Sequence, residues 1–166
     1  AFSRAEIAER WIRFSENMIG GRMKTLSSFL TFTFSNSNPL LHPSRMVVLF
    51  RDWQKKQYPT NPMFYAEWTD ESSELYLAAD SEMRNVMMRF PEIDLASDYE
   101  SVLEHYQVQS ASELTLKLRS LAAFRNIFSP MKETQNGWIP DLESRYFTED
   151  VEYGTKKIYT YAIFFI

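Results

Sequence analysis

The chain has 166 residues and a mass of 19.6 kDa, about the size of one domain. Hydrophobic residues make up 45% of it and aromatic residues 16%, so the composition predicts a globular fold and excludes a disordered chain. The net charge of −4 is not concentrated in a block of like charges, which argues against nucleic acid or an anionic membrane as a partner. No apolar run is long enough to cross a membrane.

Cysteine is absent, which excludes disulfides, thiolate metal sites and cysteine nucleophiles. The two histidines, His42 and His105, are too few to favour a histidine-based metal site. Since the N-terminus also lacks a signal-peptide pattern, we expect a cytoplasmic protein. The chain starts at Ala1 and ends on an apolar run, residues 162–166, so we expect it to be cut from a longer protein at both ends.

A capping box, Ser3-Arg4-Ala5-Glu6, predicts the start of a helix that ends at Gly20-Gly21. Its predicted apolar face consists of Ile7, Trp11, Phe14 and Met18. Residues 23–34 fit a helix or a strand, and we favour a helix. Residues 35–39, Ser-Asn-Ser-Asn-Pro, predict a turn, since Pro39 disfavours helix in the residue before it.

The second clear helix is predicted to start at Pro43, a residue that the first turn of a helix tolerates. Its inward face would consist of Met46, Leu49, Phe50 and Trp53. Pro59 and Pro62 mark a loop. Residues 72–90 give the strongest helical pattern, and the residues predicted to face inward are Leu75, Ala79, Met83, Val86, Met87 and Phe90.

Two further capping boxes, residues 97–100 and 110–113, open the next predicted helices. A long irregular connection is expected around Pro130, Gly137 and Pro140. The last segment, residues 156–166, is rich in Ile, Tyr, Thr and Phe and locally favours a strand. The sequence contains no repeat and no clear domain boundary, and its predicted class is all-α.

Three places in the chain could carry chemistry. His42 would sit at the N-terminal end of the Pro43 helix, where the helix dipole disfavours the imidazolium form, so it could act as a base or merely cap the helix. Asp150 could orient a histidine and Arg145 could bind a substrate carboxylate, or Arg145 could form a surface ion pair with Glu149. His105 is better explained as a partly exposed helix residue beside Glu104.

Nucleotide-binding motifs are missing from the chain. The four glycines are Gly20, Gly21, Gly137 and Gly154, and their spacing forms neither a G-x-G-x-x-G fingerprint nor a phosphate-binding loop. The sequence also lacks the nucleophile elbow G-x-S-x-G and the zinc motif H-E-x-x-H.

Two segments together resemble the opine dehydrogenase family, the octopine and nopaline dehydrogenases. Residues 36–43, NSNPLLHP, are similar to the family's N-P-x-x-H-P turn. Residues 145–154, RYFTEDVEYG, are similar to its R-Y-x-T-E-D-V-P-Y-G segment. Weaker similarity runs through Ser129-Pro130-Met131-Lys132 and Ile139-Pro140-Asp141, so the resemblance extends over most of residues 30–155.

The resemblance implies a C-terminal helical substrate domain that follows an N-terminal Rossmann domain, here absent from residues 1–166. Family members couple an amino acid to a 2-oxo acid as an imine and reduce it with NADH or NADPH. By position, His42 would be the acid/base, Asp150 its orienting carboxylate and Arg145 a binder of substrate carboxylate. We expect no metal, and no activity or cofactor binding by this chain alone.

The chain departs from the family pattern in two places. Glu152 stands where the family has proline, and Thr155 stands where it commonly has leucine, so the substrate pocket could differ. The resemblance makes residues 156–166 the start of a helix whose exposed apolar face could drive homodimerisation. Two alternatives are a non-enzymatic helical interaction module and the substrate domain of a related hydroxy-acid dehydrogenase.

Overall fold

A computed structural model describes residues 3–23, 25–26, 28–91, 93–94 and 99–164. The predicted all-α class is confirmed, although the described residues also contain a β-hairpin and a π-helix. The α-helices are α1 Arg4–Ile19, α2 Phe29–Phe34, α3 Asn38–Phe50, α4 Asp70–Met87, α5 Val102–Tyr106, α6 Ala111–Ser120 and α7 Lys156–Phe164. The remaining elements are a 3₁₀ turn Ala122–Phe124, the strands β1 Met131–Thr134 and β2 Gly137–Pro140, and the π-helix Tyr146–Thr155.

Helix α1 begins as its sequence predicts. The Ser3 hydroxyl accepts from the Glu6 N–H, and the Glu6 carboxylate accepts from the Ser3 N–H at 2.7 Å. At the other end, Gly20 adopts a left-handed conformation with φ of 73°. The predicted apolar face, in contrast, is solvent-exposed: Trp11 is 63% exposed and Met18 71%. The helical pattern is therefore correct, but its apolar face lacks cover within the described part of the chain.

Helix α3 starts at Asn38, five residues before the predicted start at Pro43. Pro39 lies in its first turn, where a backbone N–H has no helical acceptor, so the proline loses no bond there. Pro43 lies inside the helix and cannot donate to the carbonyl of Pro39. The hydroxyl of Thr155 donates to that carbonyl instead, at 2.6 Å. This bond from a distant segment offsets part of the cost of a proline inside the helix.

Helix α4 lies at the centre of the fold, against α3 and α6. Of its predicted inward residues, Met83 and Met87 are buried, whereas Leu75 is exposed. Phe90 is buried but follows the end of the helix. Small and aromatic residues take the remaining inward positions, namely Ser72, Ser73 and Tyr76.

The starts of the two helices that follow α4 were only partly predicted. The predicted capping box at 97–100 includes residues outside the described part of the chain, and α5 is opened instead by a box formed by Ser101 and Glu104. At α6 the Ser110 hydroxyl accepts from the Glu113 N–H, as predicted. The Glu113 carboxylate accepts from the N–H of Gln109, one residue earlier than in a standard capping box.

The predicted irregular connection around Gly137 is instead an antiparallel β-hairpin, in which Met131 pairs with Pro140 and Thr134 with Gly137. Asn136-Gly137 is a strong hairpin signal that the sequence interpretation overlooked. Gly137 has φ of 141° and lies against the backbone of Tyr58, where a Cβ atom would collide with the Tyr58 carbonyl. Two backbone bonds to Trp138, of 2.7 and 2.8 Å, join Tyr58 to this hairpin.

Buried side chains form two clusters around α4. The larger cluster lies between α3, α4, α6 and residues 64–68, and it contains Leu41, Met46, Phe64, Tyr65, Trp68, Tyr76, Val102, Leu114 and Leu118. The smaller cluster lies toward α2 and contains Phe34, Met83, Met87, Phe90 and Ile93. Leu40 packs against both clusters, so the first turn of α3 joins them.

Residues 156–164 form the helix α7 despite their strand propensity. The π-helix leads directly into α7, because the N–H of Lys156 donates to the carbonyl of Val151, five residues earlier. Tertiary context here overrides local preference. The helix that the resemblance implied is therefore present as far as Phe164.

Candidate active site

His42 lies in the second turn of α3, and it is 9% exposed. Its Nδ1 atom is 2.7 Å from Oδ2 of Asp150 in the π-helix, a residue 108 positions away in sequence. The side chains of both residues are largely buried. The structure thus brings together two of the three residues selected from the sequence, and it places their side chains within hydrogen-bond distance.

The other ring nitrogen of His42 is also occupied. Nε2 is 2.9 Å from the hydroxyl oxygen of Tyr65. The Tyr146 ring lies against the imidazole with 4.5 Å between ring centroids, and Phe64 meets the imidazole edge-on at 5.7 Å. Aromatic rings therefore shield the histidine from water on these sides.

Burial lowers the pKa of His42, and the hydrogen bond and negative charge of Asp150 partly oppose that effect. The sequence suggested a different cause, the dipole of a helix starting at Pro43. That explanation is wrong because α3 starts at Asn38, which places His42 beyond the first turn. Burial acts in the same direction as the expected dipole effect and favours the neutral imidazole.

Asp150 reaches the histidine because of the π-helix. Tyr146, Asp150 and Thr155 contact α3 at intervals of four and five residues. These intervals fit a helix whose bonds span five residues better than an α-helix. The resulting side-by-side contact with α3 aligns the two sequence motifs.

Close approach of the two motifs depends on Gly154. A Cβ atom at this position would lie 2.7 Å from Cγ of Pro39, well inside van der Waals contact. Gly154 has no unusual φ, so its requirement is one of space. Next to it, the Thr155 hydroxyl donates to the carbonyl of Pro39. Thr155, one of the two residues that depart from the family pattern, therefore stabilises the contact between the motifs.

Two arginines, the buried Arg45 and the exposed Arg119, hold the segment that carries Tyr65. Arg45 is 3% exposed and donates to the carbonyls of Phe64 at 3.1 Å and Glu67 at 2.7 Å. Arg119 donates to the carbonyl of Trp68 at 2.7 Å. Burial lowers the pKa of Arg45 to about 10, which leaves it charged at neutral pH.

Tyr65 and Arg45 were missed in the sequence interpretation, which treated residues 59–62 only as a loop. A usable signal was present in the next residues, where Phe64, Tyr65 and Trp68 follow Pro62 within a short segment. Large aromatic residues rarely cluster on an exposed loop, so the cluster predicts a buried segment.

Arg145 lies on the solvent-exposed side of the π-helix start. Its side chain is 84% exposed and donates to both carboxylate oxygens of Glu149, at 2.9 and 2.8 Å. This is the surface ion pair that the sequence suggested as the simpler explanation. An exposed pair of this kind contributes little to stability, so a competing carboxylate could displace Glu149 at small cost.

His105 is the exposed counterpart of His42. Its Nδ1 atom is 3.0 Å from a carboxylate oxygen of Glu100, and its side chain is 61% exposed. The predicted exposed helix histidine is thus observed, but its partner is Glu100, whereas the neighbouring Glu104 caps α5.

A cavity of about 460 Å³ lies where α2, α3 and the π-helix meet. The two motifs contribute Asn36, Pro39, Tyr153 and Gly154 to its walls. Phe29 and Phe32 of α2 give it an apolar side, and Lys157 gives it a positive charge. His42, Asp150 and Arg145 are not among its lining residues.

Within the described ranges, His, Asp and Glu residues form no group of three that could hold a metal ion. Among the helices described, none is long and apolar enough to span a membrane.

Comparison with known proteins places these features in a family. A sequence model of the NAD/NADP octopine/nopaline dehydrogenase alpha-helical domain matches residues 25–163. An opine dehydrogenase from Haliotis discus hannai is 30% identical over 126 residues, which are 69% of this chain and 31% of the relative. The chain therefore spans about a third of the length of that relative.

Solved structures show the same fold. Octopine dehydrogenase in complex with NADH and agmatine matches with a TM-score of 0.73 and 23% identity, over 92% of this chain and 40% of that one. Octopine dehydrogenase with NADH and pyruvate gives a TM-score of 0.72 and 23% identity, over 92% and 39%. This chain belongs to the octopine and nopaline dehydrogenase family and corresponds to its alpha-helical domain.

Proposed function

We propose that residues 1–166 form the substrate-binding and catalytic domain of an NAD(P)-dependent opine dehydrogenase, which couples an amino acid with a 2-oxo acid or catalyses the reverse reaction. The observation that carries the proposal is the 2.7 Å contact between His42 and Asp150. It joins the two motifs by which the sequence resembles the family, and it gives a buried imidazole a carboxylate partner.

His42 is the proposed acid/base. Imine formation requires a proton for the departing oxygen of the 2-oxo acid, and an imidazole with a pKa near the working pH can give and take that proton. Asp150 fixes the orientation of the ring and stabilises its charged form. The shielding rings of Tyr146 and Phe64 strengthen this interaction by excluding water.

Arg145 is the proposed binder of a substrate carboxylate, because guanidinium holds a carboxylate through two parallel hydrogen bonds. Its present partner, Glu149, already uses that geometry. A substrate carboxylate would therefore replace one carboxylate with another at an exposed position.

NADH or NADPH supplies the hydride, and the proposed binding site for it is the N-terminal Rossmann domain, outside residues 1–166. We expect this chain alone to be inactive and to bind the dinucleotide weakly or not at all. Titration of the chain with NADH would contradict this division of roles if it showed micromolar binding. Cytoplasmic location and homodimerisation stay predictions.

Activity of the full-length protein tests the proposal, with pyruvate as the first 2-oxo acid and a panel of amino acids. His42→Ala should lower turnover by about 100-fold or more while cofactor affinity is kept. His105→Ala is the matched control, because it removes the other carboxylate-paired histidine, and it should leave turnover unchanged. Equal effects of the two variants would contradict a catalytic His42.

The substrate panel also separates the proposal from its nearest alternative. NADH oxidation that requires both pyruvate and an amino acid supports opine formation. Oxidation with the 2-oxo acid alone would instead indicate a hydroxy-acid dehydrogenase. Arg145→Ala should raise the KM of the carboxylate substrate more than it lowers kcat.

A further inference from the structure

The two ring nitrogens of His42 have different partners. Nδ1 faces the carboxylate of Asp150, and Nε2 faces the hydroxyl of Tyr65, which is 4% exposed. A carboxylate can only accept a hydrogen bond, so the proton of a neutral His42 resides on Nδ1. Nε2 then holds a lone pair, and the Tyr65 hydroxyl must be the donor.

We propose that Tyr65 is a positioning residue, which donates its hydroxyl hydrogen to Nε2 and holds His42 neutral with its proton on Nδ1. The bond favours the neutral form because protonation of Nε2 would turn the nitrogen from acceptor to donor. The Tyr65 hydrogen would then need a new acceptor. Within the described part of the chain, Nε2 is the hydrogen-bond partner recorded for that hydroxyl.

The Tyr65 hydroxyl has little freedom to turn away from the histidine. The tyrosine ring stacks on Phe124 with 4.3 Å between centroids and on Trp68 with 5.9 Å. The bonds from Arg45 and Arg119 to residues 64–68 hold the backbone on both sides of it. Burial also raises the pKa of Tyr65 above its usual value of about 10, so the hydroxyl keeps its proton at neutral pH.

Titratable groups face His42 from two elements. The π-helix contributes Asp150, whose charge favours imidazolium, and Tyr146, whose ring covers the imidazole. The segment before α4 contributes Tyr65. Burial and the Tyr65 bond therefore oppose Asp150, and the balance between them determines the pH at which His42 gains a proton.

If His42 is the acid/base of the proposed function, on which this point alone rests, the arrangement defines its resting state, with the basic lone pair on Nε2. The proton position and the titration of His42 are properties of the isolated chain, and no substrate or cofactor is needed to measure them. A full-length enzyme without opine dehydrogenase activity would thus leave the proposal about Tyr65 standing.

Long-range ¹⁵N–¹H correlation spectra of the 166-residue chain, recorded across pH, test the proposal. The chain has only two histidines, so His42 and His105 are readily distinguished by the His42→Gln variant. We expect neutral His42 to carry its proton on Nδ1. In Tyr65→Phe the titration midpoint of His42 should rise by about half to one pH unit, the effect of one lost hydrogen bond.

Tyr146→Phe is the matched control, since it removes a hydroxyl from the other tyrosine that contacts the imidazole. It should move the midpoint less than Tyr65→Phe does. If Tyr65→Phe fails to fold, 3-fluorotyrosine at residue 65 keeps the shape and makes a stronger donor, which should lower the midpoint. A proton on Nε2 of neutral His42, or a midpoint that Tyr65→Phe leaves unchanged or lowers, would overturn the proposal.

Discussion

His42 and His105 form the same kind of contact in opposite surroundings. Each places Nδ1 within 3.0 Å of a carboxylate oxygen, but the side chain of His42 is 11% exposed and that of His105 61%. His42 also has a second partner, the Tyr65 hydroxyl, and aromatic rings around it. A histidine and a carboxylate are therefore not enough to select a candidate active site. Burial and the partner of the second nitrogen distinguish the two regions.

The largest expected difference between the regions concerns turnover. In the full-length enzyme, Asp150→Asn should lower kcat by about 100-fold or more, because an amide does not stabilise imidazolium as a carboxylate does. Glu100→Gln makes the same chemical change beside His105, and we expect kcat within about twofold of the parent. Steady-state kinetics at saturating substrate would refute the distinction if the two variants lost activity equally.

The next effect concerns the packing that brings Asp150 to His42. Gly154→Ala would force a methyl group against Pro39, and it should destabilise the chain by about 1–3 kcal/mol. Gly21→Ala is the control, since nothing lies within 4 Å of a Cβ atom there. Urea unfolding measures both free energies. Equal stabilities would mean that the two motifs are not tightly packed in solution.

A smaller effect is expected at the neighbouring hydroxyl. Thr155→Val keeps the side-chain shape but leaves the Pro39 carbonyl without its donor, at a cost of about 1 kcal/mol. Thr160→Val removes a hydroxyl that donates to the Lys156 carbonyl on the exposed side of α7, and it should have almost no effect. A loss at residue 160 as large as that at residue 155 would contradict a special role for Thr155.

The smallest effect is a pH dependence of stability. The pKa of His42 is lower in the folded chain than its usual value of about 6.5, so the unfolded chain binds more protons between these values. Stability due to neutral His42 is present above about pH 6.5 and is lost as the pH falls through the folded pKa. His42→Gln should remove this loss of stability at low pH from unfolding free energies measured between about pH 5.5 and 8. His105→Gln should keep it.

Much of the site could be predicted because two sequence motifs contain His42 and Asp150. The pattern around His42 and that around Asp150 identified residues 108 positions apart that the fold brings into contact. The predicted helix start at Pro43 was wrong because Pro39 occupies the tolerated first turn and Pro43 lies inside the helix. The Pro39 carbonyl that Pro43 leaves without a donor accepts from Thr155, a contact that local sequence does not encode. Tyr65 was missed because it lies in a segment without periodicity, where only its aromatic neighbours indicate burial.

Burial was harder to predict than helix formation. The apolar face of α1 and the inward face of α4 have similar spacing, yet Trp11 is 63% exposed and Met87 fully buried. Periodicity shows that a segment can bury one face of a helix, but not which element covers that face. For α4 the partners are α3 and α6.

Because the second motif lies in the π-helix, the number of its residues matters as well as their identity. A turn closed over five residues holds one residue more than an α-helical turn closed over four. Deleting one residue between Tyr146 and Asp150 would either convert that turn to an α-helical one or rotate the preceding part by about 100° relative to the rest. The exposed positions of residues 146–155 should therefore accept conservative replacements more readily than this segment accepts any insertion or deletion.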